Sequence, residues 1–327
     1  MSLTLSTAAE RFEIAGGFAI SRGRRTHAEV VTATLSDGAR RGRGECLPYP
    51  RYGESVESVV AEIEAMAPAL ADGLDRSGLQ AAMKPGAARN ALDCAFWDLE
   101  AKRAGRRVWE LAGLPAPGPV PTCFTLSIDA PEAMRAKAAE NARRPLLKVK
   151  LGGEGDLERL RAVREGAPRA RLVIDANEGW SVATYEALAP ELAALGVAMV
   201  EQPLPAGEDA ALHGVARPLP VCADESAHDR ASLDRLVGRY DMINVKLDKA
   251  GGLTEALALI DAAEARGLRV MVGCMVASSL ALAPATLAAQ RAELADLDGP
   301  LLLAEDRSHP LRYDEAGVHP PEADLWG

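Results

Sequence analysis

Seven polar residues stand at the ends of short apolar runs between Lys150 and Asp296, and their types form a chemically usable series. The runs are PLLKVK, RLVIDAN, VAMVEQP, LPVCADES, MINVKLDK, RVMVGCM and ELADLDG. They supply Lys150, Asp175, Glu201, Asp224, Lys246, Cys274 and Asp296, separated by 25, 26, 23, 22, 28 and 22 residues. Three carboxylates offering only oxygen donors are the ligand set that Mg²⁺ or Mn²⁺ takes, with coordination positions left open for substrate and water. A lysine on each flank could move protons. Taken one at a time, each acid could equally cap the helix that follows it. Three on consecutive repeats, with lysines on both neighbouring repeats, favour a metal site between two bases.

Such a repeat is the length of one strand, one helix and two loops, and it predicts a β/α barrel whose C-terminal strand ends converge on one mouth. Asp175, Glu201 and Asp224 would then face a common centre, with Lys150 and Lys246 on opposite sides. Lys148 and Lys150, two apart on a strand, point the same way, as do Asn244 and Lys246. Two inward lysines repel each other, and with partial burial this predicts a depressed pKa and a usable base. Lys249 reads as structural, an ion-pair partner for a nearby acid. Cys274 has no histidine on a neighbouring motif to activate it and reads as pocket lining.

The chain as a whole is expected to be α/β: a C-terminal modified TIM (β/α) barrel with an N-terminal α+β capping domain. Its 327 residues suit a barrel plus one smaller domain, and 48% hydrophobic content is enough to bury a core. Residues 1–115 form the capping domain in this reading. FEIAGGFAI and HAEVVTATLSD are its strands, SRGRRT a mobile basic loop between them, and ESVESVVAEIEAMAPALADGL and ARNALDCAFWDLEAKRAG its helices. Residues 116–300 are the barrel, opening with TCFTLSID after the proline-rich LPAPGPVP, and 301–327 return to pack on the capping domain. A net charge of -10 argues against nucleic acid or an anionic membrane surface as partner. The start, MSLTLSTAAERFEI, lacks a signal-peptide layout, and the five scattered cysteines suggest reduced thiols, so a cytoplasmic location is expected. The sequence is compatible with a monomer or a homo-oligomer.

The set KVK, VIDAN, VEQPLP, ADES and VKLDKAGGLTEAL resembles the enolase superfamily, specifically its muconate-lactonizing subgroup, over essentially the whole chain. Within that subgroup ECLPYPRYGES, GCMVASS and ADLDGPLLL are similar to dipeptide epimerases. The resemblance implies one Mg²⁺, or Mn²⁺ in its place, on Asp175, Glu201 and Asp224. It implies a 1,1-proton transfer by Lys150 and Lys246 at the α-carbon of a dipeptide's C-terminal residue, with L-Ala-D/L-Glu as the expected substrate. Lys148 would add a cation beside the substrate carboxylate. Asp296 and Asp298, two apart on an extended segment, would accept from the dipeptide's ammonium group, as the family's DxD does. Arg22, Arg24 and Arg25 could close over the mouth and pair with a side-chain carboxylate, Arg25 being preferred for its place after the glycine. Arg51 and Tyr52 would form a second lid segment. Cycloisomerases, o-succinylbenzoate synthases and N-acylamino acid racemases of the same subgroup are the alternatives, and a Schiff-base aldolase using Lys246 is a more distant one. No histidine falls on a barrel strand end, which argues against a His/Asp base of the mandelate racemase kind.

Overall fold

A computed structural model describes residues 2–327. The N-terminal part is an antiparallel sheet of β1 (Thr4–Ile20), β2 (Gly23–Ser36) and β3 (Arg41–Cys46), in that order. Alternate residues Val31, Ala33 and Leu35 of β2 are buried in one cluster with residues of the helices, as a strand with one covered face requires. Those helices are α1 (Val56–Glu64), α2 (Ala67–Ala71), α3 (Arg76–Ala82) and α4 (Ala87–Ala104). The apolar stretch after Glu54 gives two helices, because Pro68 in the first turn of α2 has no N–H to continue the ladder of α1.

SRGRRT is not a separate loop. Only Ser21 and Arg22 make the turn, and β2 begins at Gly23, with Arg25 opposite Phe18 on β1. The basic segment is therefore the end of a long hairpin, with Arg24 and Arg25 directed by ladder register and Arg22 by the turn.

The barrel strands are β4 (Phe124–Leu126), β5 (Leu146–Lys150), β6 (Arg171–Asp175), β7 (Val197–Glu201), β8 (Val221–Ala223), β9 (Met242–Val245), β10 (Arg269–Gly273) and β11 (Leu294–Asp296). They are parallel neighbours in sequence order, and a parallel bridge between Thr122 and Ala295 closes the ring. A plug of Cys123, Leu146, Val173, Met199, Cys222, Met242, Met271 and Leu294 fills its interior. Two residues further along each strand lies the next inward position, because side chains alternate. Those positions hold Thr125, Lys148, Asp175, Glu201, Asp224, Asn244, Gly273 and Asp296. The strand period of two thus lays a polar ring directly on an apolar floor.

After the barrel the chain runs along the capping domain. Arg307 bonds Glu10 at 2.8 Å and Glu45 at 2.5 Å, and the Trp326 indole donates to the Cys94 carbonyl of α4.

Candidate active site

Asp175 and Glu201 end β6 and β7, and Asp224 follows β8; all three are buried, with ligand oxygens within 4.8 Å of one another. Neighbours fix their orientation: the Asn177 amide donates to Asp175 Oδ1 at 2.8 Å, and Asn244 Nδ2 donates to Glu201 Oε1 at 2.8 Å. Lys249 is bound to Asp224 Oδ1 at 2.6 Å and is the ion-pair partner its position suggested. Glu201 Oε2 faces Lys148 Nζ at 2.7 Å without forming a hydrogen bond. Three hard oxygen donors converging in a buried pocket, one with an oxygen not hydrogen-bonded, fit a divalent cation.

Lys150 Nζ lies 2.6 Å from Asp175 Oδ2, and Lys246 Nζ 2.7 Å from Asp224 Oδ2. Their strands, β5 and β9, are second and sixth of the eight, so the two amines approach the triad from across the barrel. Lys148, two residues deeper on β5 than Lys150, contacts Asp175 at 3.1 Å and Glu201 and Asp296 each at 2.7 Å.

The charge states differ from the expectation of a depressed lysine. Burial alone would lower Lys148 and Lys246, but facing carboxylates outweigh it and hold both well above the ordinary lysine value. Like-charge repulsion between strand neighbours loses to the acids contributed by strands farther round the ring. Burial would raise Asp175, yet Lys150 and Lys148 hold it low. Glu201 is raised by burial and by Asp175.

Above the ring is a cavity of about 450 Å³, within the range of small-molecule sites. Its wall includes Arg25, Lys148, Lys150, Lys246, Cys274, Asp296 and Asp298. The expected DxD is not one extended segment: Asp296 ends β11, whereas Asp298 caps the short turn Gly299–Leu302 and accepts from the Thr125 amide at 2.6 Å. Burial and the charge of Asp296 raise Asp298 to about 7. Cys274 lines the wall, and burial raises its thiol well above the usual value.

Two segments of the capping domain roof this cavity. Arg51 grips Glu178 through two hydrogen bonds of 3.0 and 2.8 Å, while Tyr52 stacks edge-on against His228 at 4.9 Å. From the hairpin turn, Arg22 reaches Glu225 at 2.7 Å and the Asn177 carbonyl at 2.9 Å. Asn177 and Glu178 both adopt positive φ, 44° and 66°, a conformation costing on the order of 1 kcal/mol or more that aims both at the roof. Arg24 is engaged by the Gly16 carbonyl at 2.6 Å. Arg25 lies over the Tyr49 ring at 4.6 Å and has no carboxylate partner among the described residues. The sequence reading missed Glu225, Asn177 and Glu178 as functional positions. Their only signal was adjacency to Asp224 and Asp175 in ADES and IDANE.

Comparison with known proteins agrees with this geometry. L-Ala-D/L-Glu epimerase of Escherichia coli is 48% identical over 92% of this chain and 95% of its own, and N-acetyl-D-glutamate racemase of Pseudoalteromonas is 42% identical over 91% and 95%. A solved enolase family member from Agrobacterium tumefaciens, with homology to dipeptide epimerases and bound to sodium and L-Ala-L-Glu, is 56% identical with a TM-score of 0.97, covering 99% of this chain and 100% of that one. The dipeptide epimerase of Enterococcus faecalis complexed with Mg and L-Leu-L-Tyr is 28% identical, TM-score 0.91, covering 98% of each. The mandelate racemase/muconate lactonizing enzyme N-terminal domain matches residues 2–113, and the enolase C-terminal domain-like family matches 132–324. With both domains matched in order, the chain belongs to the mandelate racemase/muconate lactonizing enzyme family of the enolase superfamily.

Proposed function

We propose that this protein is a Mg²⁺-dependent dipeptide epimerase that inverts the α-carbon of the C-terminal residue of L-Ala-D/L-Glu. The observation that supports it most is the placement of Lys150 and Lys246 across the barrel with Asp175, Glu201 and Asp224 between them. An α-proton beside a carboxylate is very weakly acidic, because its removal leaves a dianionic enediolate. Held by the triad, a divalent cation supplies positive charge where that negative charge develops. Lys148 adds a second fixed cation at the same place. One lysine, neutral, takes the α-proton; the other, as ammonium, returns a proton to the opposite face, so one C–H bond breaks and one forms with inversion. Asp175, Glu201 and Asp224, once engaged by a divalent cation, would exert a weaker field on Lys246, whose amine could then serve as a base.

Asp296 and Asp298 on the wall suit the dipeptide's ammonium group, and Arg25 suits a glutamate side chain. The cycloisomerase and o-succinylbenzoate synthase readings leave those two acids without a task. A Schiff base on Lys246 is disfavoured because it would leave the buried carboxylates Asp175, Glu201 and Asp224 without a task. The second reading with specific support is N-acylamino acid racemisation, from the 42% identical relative. L-Ala-D/L-Glu is a fragment of bacterial peptidoglycan, so the proposed role is peptide recycling. Five free thiols suit the reducing cytoplasm.

The test is a dipeptide panel with N-acetylglutamate, incubated in D₂O with Mg²⁺ and read by mass spectrometry and chiral chromatography. Deuterium at the glutamate α-carbon of L-Ala-Glu, with both epimers formed, supports the reading. Exchange confined to N-acetylglutamate transfers the assignment to the racemase.

A further inference from the structure

The two bases are mounted differently. Lys150 is the last residue of β5, still paired in register with Asp175 of β6. Lys246 lies past the end of β9 and opens a single helical turn, Leu247–Ala250, with its carbonyl accepting from the amides of Lys249 and Ala250. A four-residue turn is too short to hold its own shape. Helix α4 of the capping domain holds it from behind. Arg89 donates to the Ala250 carbonyl at 2.7 Å and the Gly251 carbonyl at 3.1 Å, capping the turn's free end. Asn90 Nδ2 donates to Asp248 Oδ1 at 2.8 Å, and the same oxygen accepts from the Leu47 amide at 3.2 Å. Contact is close enough to demand glycine: Gly251 and Gly252 have φ of 82° and 114°, and a Cβ on either would come within 2.5 Å of Arg89 or Asp93.

We propose that Arg89, Asn90 and Asp248 are positioning residues for Lys246, so that a hydrogen-bonded brace from the capping domain sets the geometry of that base, whereas Lys150 meets the capping domain at the Phe18 ring, 5.7 Å away. This rests on the two-base reading above. Misplacing a catalytic group by 1 Å can cost roughly 10²-fold, so loss of the brace slows proton transfer on one face of the substrate only.

The experiment measures α-proton exchange with D₂O separately for the L,L and L,D epimers of Ala-Glu, with Lys246→Ala identifying the epimer that Lys246 serves. Asp248→Ala is expected to slow that epimer about tenfold relative to the other. Asp248→Asn, whose amide oxygen still accepts from Asn90 and Leu47, is expected to restore the ratio. Asn90→Ala removes the donor and keeps the carboxylate, and it repeats the test if Asp248→Ala does not fold. Equal slowing of both epimers, no slowing in either variant, or failure of Asp248→Asn to restore the ratio overturns the brace. Absence of exchange in the parent protein counts instead against the epimerase reading.

Discussion

Asp296 Oδ2 lies 2.7 Å from Lys148 Nζ, while its other oxygen, Oδ1, is buried without a hydrogen-bond partner among the described residues. A buried carboxylate oxygen left unpaired is costly unless a ligand satisfies it. In the proposed complex the ligand group is the dipeptide's ammonium. N-acetylation of L-Ala-Glu, or Asp298→Asn, is therefore expected to lower kcat/KM by roughly 10² or more, the usual loss for an unpaired buried charge. Steady-state kinetics of free and acetylated substrate decide it. Equal turnover of the two would remove the ammonium site and favour the N-acylamino acid racemase.

Metal dependence gives a second check. Exhaustive EDTA treatment is expected to abolish exchange, and Mg²⁺ or Mn²⁺ to restore it. Asn244 orients Glu201 through a 2.8 Å hydrogen bond, so Asn244→Ala is expected to weaken Mg²⁺ binding by about 10- to 100-fold, measured by titration calorimetry without substrate. Full activity after EDTA would sink the metal role, and unchanged affinity in the variant would sink the orienting role of Asn244.

Of Arg22, Arg24 and Arg25, only Arg25 has no carboxylate or carbonyl to hold it among the described residues. Arg25→Ala is expected to reduce kcat/KM for L-Ala-Glu about tenfold or more, the worth of one charged hydrogen bond. Dipeptides with a neutral second residue, such as L-Ala-L-Leu, should be spared. A uniform loss across the substrate panel would show that Arg25 shapes the roof and does not read the side chain.

Burial raises Asp248 in the folded protein from an ordinary value near 3.8 to about 7. Between those values the folded chain carries a proton that the unfolded chain has released, so stability falls as pH rises, by up to about 1.4 kcal/mol per pH unit. Asp248→Asn has no proton to lose. Urea unfolding from pH 5 to 7.5 is therefore expected to show the difference between variant and parent moving steadily in the variant's favour. A gap that does not change with pH would contradict the raised acid.

The family, the barrel and the four acids of its polar ring were legible in the sequence because strand alternation and repeat length are local properties of the chain, whereas Thr125 and Gly273 of that ring carried no signal. A period of two along each strand is enough to carry Leu146 into Lys148 and Met199 into Glu201, floor into site, wherever the strands finally sit. The lysine charge states were not legible. Reading Lys148 beside Lys150 gives repulsion, but closure of the ring brings Glu201 and Asp296 within 2.7 Å of Lys148, and those acids come from strands far apart in sequence. Nor could sequence place SRGRRT, since the register of β1 on β2 decides which arginine faces which partner. Arg22 meets Glu225, and Asn90 meets Asp248, only because segments far apart in sequence pack together in the fold. Local pattern determined which residues could do chemistry, and tertiary contact, where the strength of a charge depends on the distance and burial of its neighbours, decided their charge and their aim.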